Sequence, residues 1–181
     1  LHRTAMTRKE FGVYVHIPYC RSRCPYCHFN TVVRPAIPEA AYSEAILREA
    51  AVQLDRGTMG DRRMVSIYFG GGTPSLFSAP SIGRMVRSIR EAAGVGGDLE
   101  ITLEMFPDDE AMARIEGFRE AGVTRLSFGM QSLHESDRKK LWRGRSLDPR
   151  DVLEKVARAG IRNVSLDFIY GRPGQSPRDW S

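Results

Sequence analysis

The feature that most constrains the fold of this chain is a regular alternation of short apolar runs with amphipathic segments. The apolar runs predict five strands, at residues 13–17, 64–69, 99–105, 123–128 and 161–170. The segments between them are predicted to be helices that start at Pro38, Ser78, Asp108, Glu135 and Asp148. Strands and helices that alternate in this way predict a parallel α/β sheet with right-handed crossovers.

Two details of this pattern can be checked against a structure. The strand at residues 64–69 is almost entirely apolar, which predicts burial on both of its faces. Asp108 and Gly122 are residue types that begin and end a helix, so one continuous helix is expected between them.

Length and composition restrict the architecture. With 181 residues, of which 41% are hydrophobic, the chain is long enough for one domain with its own core. A closed eight-unit barrel needs roughly 200 residues or more, and the pattern alone does not separate a partial barrel from a doubly wound sheet. No run approaches the ~18 uncharged apolar residues of a membrane-spanning helix, so no span is expected.

Polar and titratable residues are concentrated at the ends of the predicted strands. A cysteine-containing loop follows the first strand, and a glycine run at residues 70–73 follows the second. Glu104, Gln131 and Asp167 stand at the ends of the later strands. Because ligands bind at the carboxyl edge of the sheet in both architectures, this edge is the predicted ligand site.

The three cysteines of the chain, Cys20, Cys24 and Cys27, all lie in the loop after the first strand. An odd number at this close spacing does not fit a disulfide framework. A tetrahedral zinc site needs a fourth ligand, and His28 is too close to Cys27 to complete the geometry easily. Three thiolates fit an iron–sulfur cluster better, with one iron left open to bind a small molecule.

The formal charge of +5 gives little functional information. The basic residues are scattered and mostly recur at helical spacing, which is typical of solvated helix faces. Examples are Arg84, Arg87, Arg90, Arg138, Lys139 and Lys140. A surface for nucleic acid or for an acidic tetrapyrrole is the alternative interpretation, and nucleic acid is the less favoured partner.

Four segments together resemble the radical S-adenosylmethionine (SAM) superfamily. They are YVHIPYC at 14–20, which runs into C-x3-C-x2-C, YFGGGTPS at 68–75, RLSFGMQS at 125–132 and DFIYGRPG at 167–174. Their order and spacing are most similar to the branch that contains oxygen-independent coproporphyrinogen III oxidase and the HemW-type heme chaperones. The resemblance covers nearly the whole chain from residue 11 onward.

The resemblance implies a partial (βα)n barrel of the TIM type that binds a 4Fe-4S cluster and SAM. Cys20, Cys24 and Cys27 would be the cluster ligands, and SAM would chelate the open iron. One electron from the reduced cluster would split SAM into methionine and a 5′-deoxyadenosyl radical. A flavodoxin or ferredoxin is the expected electron donor.

Further SAM contacts are carried over from the family by position. Tyr14 is expected beside the cofactor and Tyr26 along the adenine, while Gly71, Gly72 and Thr73 would let the backbone approach the methionine amino group. Glu104 and Gln131 match positions that hold polar groups of SAM. Arg143 matches a position suited to its carboxylate, and Asp167 one near the ribose.

One position separates the members of the branch. Porphyrin-decarboxylating members carry a fourth cysteine two residues past the third, where this chain has Phe29. This pattern argues against coproporphyrinogen dehydrogenase activity and matches the HemW-type proteins and some related methyltransferases. Two residues depart from the HemW pattern: His28 replaces an acidic residue, and Phe106 replaces an asparagine.

Three functions therefore stay open. The preferred one is a heme chaperone that keeps the cluster and SAM site, with heme or a porphyrin as ligand. The second is a radical enzyme, either a methyltransferase or an oxidoreductase of the coproporphyrinogen III oxidase type. The third, suggested only by charge, is a nucleic-acid modifying protein. Residues 1–15 carry charges and no apolar h-region, so a reducing, cytoplasmic location is expected.

The ends of the chain suggest part of a longer protein. It opens at Leu1 and stops as Ser176 and Pro177 begin the next helical pattern. We expect an N-terminal extension at residues 1–10 and a radical SAM core at residues 11–181. A sixth βα unit and a C-terminal region would follow Ser181.

Overall fold

The structure is a computed structural model, and it describes residues 9–55, 59–141 and 146–176. Five parallel strands form its main sheet. The strands are β1 (Glu10–Ile17), β4 (Arg63–Gly71), β5 (Glu100–Met105), β6 (Arg125–Gln131) and β7 (Asn163–Phe168), in that spatial order. Two short parallel strands, β2 (Tyr19–Cys20) and β3 (Val32–Val33), form a second sheet at the two ends of the cysteine loop. The predicted parallel α/β fold is confirmed.

Helices connect the strands. They are α1 (Glu39–Gln53), α2 (Ala79–Ala93), α3 (Asp109–Met112), α4 (Ile115–Glu120), α5 (Glu135–Leu141) and α6 (Pro149–Arg158). Ser78 and Asp148 cap α2 and α6 with their side chains, and Gly94 ends α2 in a left-handed conformation with a φ of 62°. No helix in the described part of the chain is both long and apolar enough to cross a membrane.

The two faces of the sheet differ in polarity. On one face, alternate residues of β4, β5 and β6 are buried in the apolar core together with residues of α2. The opposite face carries polar side chains at the intervening positions of the same strands. They include Tyr68, Thr102, Glu104, Arg125 and Ser127, and Asp167 of β7 lies beside Gly129 of β6.

The amino end of the polar face is filled by its own hydrogen bonds. Arg125 donates from Nη1 to Oγ1 of Thr102 at 3.3 Å and lies 3.9 Å from Oε1 of Glu100. Asn163 donates to the other oxygen of Glu100 at 3.3 Å. The polar side chains at this end of the sheet therefore interact mainly with one another.

Several sequence-based expectations are wrong in detail. The strand at residues 64–69 is not buried on both faces, because Ser66 and Tyr68 lie half-buried on the polar face. The expected continuous helix from Asp108 to Gly122 is two helices, and the break between them falls at Ala113 and Arg114. Arg114 leaves the helical conformation and donates from Nη2 to the carbonyl of Ser75 at 2.6 Å.

The burial of Arg138 is a second difference from the sequence-based expectation. Its helical spacing predicted a solvated position, yet it is 4% exposed and donates from Nη1 to the carbonyls of Ser132 and Leu133. Its neighbour Lys139 is exposed and pairs with Glu135 at 2.8 Å, as expected for a helix face. Periodicity assigned the correct face to one of these residues and the wrong face to the other.

Candidate functional site

A cavity of about 420 Å³ lies at the carboxyl edge of the sheet, under the cysteine loop. The strand ends and loops that follow β1, β4, β5, β6 and β7 all contribute to its walls. Of the candidate residues, those that line it are Cys20, Cys24, Tyr26, Cys27, Gly71, Gly72, Thr73, Glu104, Gln131 and Asp167. The fold therefore brings together residues that are spread over almost the whole sequence.

Tyr14 is a candidate residue that is not among those lining the cavity. Tyr14 is 58% exposed, and its ring stacks on that of Tyr68 with centroids 6.0 Å apart. Its hydroxyl donates to Nδ1 of His16 at 3.1 Å, while Nε2 of His16 donates to the carbonyl of Asn30 at 3.0 Å. Arg143 lies outside the described residues.

The first end of the cysteine loop is anchored by backbone hydrogen bonds to the glycine run. Gly72 donates to the carbonyl of Ile17 at 2.9 Å, and Thr73 donates to that of Tyr19 at 2.8 Å. The Oγ1 of Thr73 also donates to the sulfur of Cys20 at 3.7 Å. These contacts hold Cys20 against the end of β4.

The donor set of this loop consists of thiols. Burial raises the pKa of Cys20, and the neighbouring Cys24 and Cys27 raise it further against the opposing effect of the Thr73 hydrogen bond. None of the three cysteines is joined in a disulfide, and all three are half-buried and line the cavity. Within the described ranges, no three His, Cys, Asp or Glu side chains converge as ligands of a single ion. Three thiols on one open loop fit an iron–sulfur cluster, which takes thiolate ligands.

The glycines at positions 71 and 72 meet a steric requirement that comes from the protein itself. A Cβ on Gly72 would lie 2.6 Å from the carbonyl oxygens of Pro18 and Tyr19. A Cβ on Gly71, whose φ is 118°, would lie 2.6 Å from the His16 ring. Their missing side chains are thus explained by the close approach of β4 to β1 and the cysteine loop.

Tyr26 is turned toward the cysteines. Burial raises the pKa of its hydroxyl strongly, and the charges of Cys24 and Cys27 and a hydrogen bond to Cys24 act in the same direction. The phenol therefore stays protonated beside the thiols. Its position on the cavity wall is compatible with the expected contact to a bound adenine, which stays a prediction.

Glu104 is held by a donor on each carboxylate oxygen. The hydroxyl of Tyr68 donates to Oε1 at 2.7 Å, and the backbone N–H of Gly71 donates to Oε2 at 3.1 Å. The residue still lines the cavity. A carboxylate fixed in this way can accept further hydrogen bonds from an ammonium group, because each oxygen has a second lone pair.

Ser127 is a cavity residue that the sequence reasoning did not single out. It lies on β6, and its hydroxyl donates to Oδ2 of Asp167 on β7 at 3.4 Å. The sequence did contain a signal for it: Ser127 lies two residues before Gly129, so both residues are on the same face of β6. Asp167 is therefore oriented by a neighbour on the adjacent strand.

The rim of the cavity is partly apolar and partly charged. Phe29 lines it and is 72% exposed, while His28 beside it is exposed to solvent. Phe106 also lines the cavity, where the HemW pattern would place an asparagine. Arg21 forms a short hydrogen bond with Glu110, which is itself exposed.

Comparison with known proteins identifies the family. The model of the radical SAM superfamily matches residues 14–181. The chain belongs to the radical SAM superfamily.

Curated radical SAM relatives of this chain carry three kinds of name. Radical S-adenosyl methionine domain-containing protein 1, mitochondrial, from Bos taurus is 39% identical over 172 residues, 93% of this chain and 38% of that protein. Heme chaperone HemW from Haemophilus influenzae is 34% identical over 169 residues, 91% of this chain and 44% of that protein. Anaerobilin synthase from Escherichia coli O157:H7 is 34% identical over 184 residues, 99% of this chain and 40% of that protein. The chain thus spans about two fifths of these radical SAM proteins.

A solved radical SAM structure has the same core. Coproporphyrinogen III oxidase (HemN) from Escherichia coli superposes with a TM-score of 0.79 at 27% identity, covering 96% of this chain and 40% of that one. HydG, a maturase of the [FeFe]-hydrogenase, superposes with a TM-score of 0.56 at 15% identity and supports the fold alone. The five parallel strands are therefore part of a radical SAM core.

Proposed function

We propose that this chain is the cofactor-binding part of a HemW-like radical SAM protein that acts as a heme chaperone. The observation that carries the proposal is the cavity at the carboxyl edge, which brings together three thiols, Glu104, Gln131 and Asp167. Relatives named heme chaperone HemW, at 34% identity, support the choice within the superfamily.

In this proposal, Cys20, Cys24 and Cys27 hold a 4Fe-4S cluster and the rest of the cavity wall holds SAM. When bound, the cluster supplies the electron that can split SAM. Glu104, already fixed by Tyr68 and Gly71, accepts hydrogen bonds from the SAM ammonium group.

The remaining polar contacts come from later strands. Asp167, oriented by Ser127, accepts from the ribose hydroxyls, and Gln131 offers an amide to the polar part of SAM. Tyr26 packs along the adenine with its hydroxyl toward Cys24. The contacts of Tyr14 and Arg143 with SAM stay predictions. Tyr14 stacks on Tyr68 and does not line the cavity, and Arg143 lies outside the described residues.

The heme-binding part of the proposal is supported by the relatives and by Phe29. An exposed phenylalanine at the cavity rim supplies an apolar surface where decarboxylating enzymes of the branch carry a cysteine. A flat, mostly apolar macrocycle can pack against such a ring. We infer a heme or porphyrin as the ligand, and a flavodoxin or ferredoxin as the electron donor.

A radical enzyme is the second candidate. It is favoured by the relative named anaerobilin synthase, which is as similar in sequence as the heme chaperones are. The substitution of Phe106 for an asparagine changes the cavity wall and is compatible with a different substrate. In this case a methyltransferase or an oxidoreductase would use the same cluster and SAM site.

Anaerobic reconstitution followed by two assays on one sample separates the candidates. Heme binding with an intact Soret band, and no 5′-deoxyadenosine formed under reduction, is expected for the chaperone. Rapid SAM cleavage that depends on an organic substrate would contradict the chaperone and favour the enzyme. Binding to RNA with a steep salt dependence would instead support the nucleic-acid interpretation.

A cytoplasmic location is part of the same proposal. Bacterial relatives carry the heme chaperone name, whereas the Bos taurus relative is named as mitochondrial. Fractionation of cells that express the full protein would test the location.

A further inference from the structure

The turn that brings Gln131 to the cavity has an unusual backbone. Gln131 has a φ of 66°, the single positive value among non-glycine residues in the described ranges. The N–H of Ser132 donates to the carbonyl of Met130 at 2.8 Å, so these residues form a γ-turn of the rare positive-φ type. A non-glycine residue keeps such a conformation only where its surroundings hold it.

A glycine at this position would adopt the turn without strain but would offer no side chain to the cavity. Gln131 does line the cavity. The register between β6 and β7 also shifts between Gly129 and Gln131, so the ladder is interrupted at the same point. The backbone strain at Gln131 therefore lies at the point where its long polar side chain reaches the cavity.

The carbonyl groups at and after the turn are held by neighbouring donors. The carbonyl of Gln131 accepts from the N–H of Ile169 at 3.0 Å. The carbonyls of Ser132 and Leu133 both accept from Nη1 of Arg138, at 3.2 and 2.6 Å. Arg138 is thus the side chain that fixes the direction of the chain immediately after the turn.

Burial and charge make this contact specific. The Arg138 side chain is 5% exposed, and its Nη2 lies 3.8 Å from Oδ2 of Asp148. Its neighbour Asp137 accepts from the Ser132 hydroxyl at 3.1 Å and pairs with Arg172 from the loop after β7. Burying a guanidinium is costly unless its donors are used. Here Nη1 is used by two backbone carbonyls that follow the turn, whereas the buried Nε has no hydrogen-bond partner.

We propose that Arg138 is a positioning residue that holds the γ-turn at Gln131 and so directs the Gln131 side chain to the bound cofactor. The inference rests on the proposed function, because Gln131 contacts SAM only if SAM occupies this cavity. Arg138 itself does not line the cavity. It acts through the backbone of residues 131–133.

The test compares Arg138→Met with Arg138→Lys in the full, anaerobically reconstituted chain. Backbone chemical shifts of Gln131 report whether φ stays positive, and isothermal titration gives the affinity for SAM. We expect Arg138→Met to release the turn and weaken SAM binding about tenfold, at unchanged iron content. Arg138→Lys keeps one donor and the charge, so it should restore part of the affinity.

Arg90→Met is the matched control. Arg90 also donates to a backbone carbonyl, that of Gly97 at 2.6 Å, but at the exposed end of α2 away from the cavity. It should leave both the Gln131 shifts and the SAM affinity unchanged.

The outcomes separate the two proposals. An Arg138→Met protein that keeps the positive φ, or that binds SAM as the unmodified chain does, overturns the positioning role. If Arg138→Met does not fold, the same comparison is made with Arg138→Lys, and wild-type SAM affinity there with unchanged shifts overturns it. An unmodified chain that holds no SAM overturns the proposed function instead, while the chemical shifts still report on the turn.

Discussion

The hydroxyl of Tyr68 and Oε1 of Glu104 are joined by a hydrogen bond of 2.7 Å between two neighbouring strands. Burial raises the pKa of Tyr68, and the bond to Glu104 raises it further. The phenol is therefore protonated at neutral pH and is a permanent donor to this carboxylate. Because Gly71 holds the other oxygen, Glu104 has one orientation toward the cavity.

Tyr68→Phe should weaken SAM binding several-fold, since Glu104 would keep one donor instead of two. We expect a loss of about 1.5–3 kcal/mol in the free energy of unfolding, typical of a hydrogen bond to a charged group. Titration with SAM and urea denaturation measure the two effects. Tyr42→Phe is the control, because the Tyr42 hydroxyl donates to the carbonyl of His16 at 2.8 Å outside the cavity. Equal SAM affinities in both variants would argue against a role for Tyr68.

Cys24→Ala should abolish the brown absorbance of the reconstituted protein, because two thiolates are too few to hold the cluster. Iron and sulfide analysis after anaerobic reconstitution measures the effect. Ser22→Ala, in the same loop, should load normally. Four irons and four sulfides per chain in Cys24→Ala would refute the assignment of Cys24 as a ligand.

Gly72→Ala should lower stability by about 1–3 kcal/mol and reduce cluster loading, because the new Cβ would contact two backbone carbonyls at 2.6 Å. Neither carbonyl can move without displacing the cysteine loop. Gly96→Ala is the matched control, since a Cβ there meets nothing within 4 Å. Thermal unfolding and iron content should separate the two variants, and identical behaviour would contradict the steric explanation.

The free energy of unfolding should fall in acid partly through Asp137. The hydrogen bond from Arg172 lowers the pKa of this carboxyl, with a further contribution from Ser132. A depressed folded-state pKa adds stability above the unfolded-state value of about 3.9, and that stability is lost as the pH falls through the folded-state pKa. Asp137→Asn should therefore be less stable than the unmodified chain at pH 7.

Urea denaturation between pH 7 and pH 3 tests this expectation. The difference between the unmodified chain and Asp137→Asn should shrink progressively below about pH 4. Asp61→Asn, at an exposed position, is the control. A difference that stayed constant with pH would show that the Arg172 contact does not depend on the charge of Asp137.

Local patterns were sufficient to predict the sheet and the location of the site. Apolar runs marked the strands because their side chains face a common core, and parallel strands bring their carboxyl ends to one edge. Cys20, Glu104 and Asp167 could therefore be assigned to one region from sequence alone, and the cavity contains all three. Their assignment as cofactor ligands still depends on the family.

Features that depend on individual contacts outside the regular helix and strand patterns could not be predicted. Arg138 is buried because carbonyls six and five residues before it need donors, which helical periodicity does not reveal. The helix after β5 breaks because Arg114 bonds to Ser75, thirty-nine positions earlier in the sequence. The pairing of β2 with β3 arises from strands of two residues each, too short to give a periodic signal.

The anchoring of the cysteine loop also makes it a suitable segment for engineering. Gly72 and Thr73 hold one end of it, and the N–H of Val32 donates to the carbonyl of Pro18 at 2.8 Å at the other. These bonds involve main-chain atoms alone, so they do not depend on the residue types at positions 22, 23 and 25. A combinatorial library at those positions would vary charge and solvent access around the thiols while the ends of the loop stay fixed. With the proposed iron–sulfur cluster bound, these variants would form a graded series of cluster reduction potentials on one unchanged scaffold.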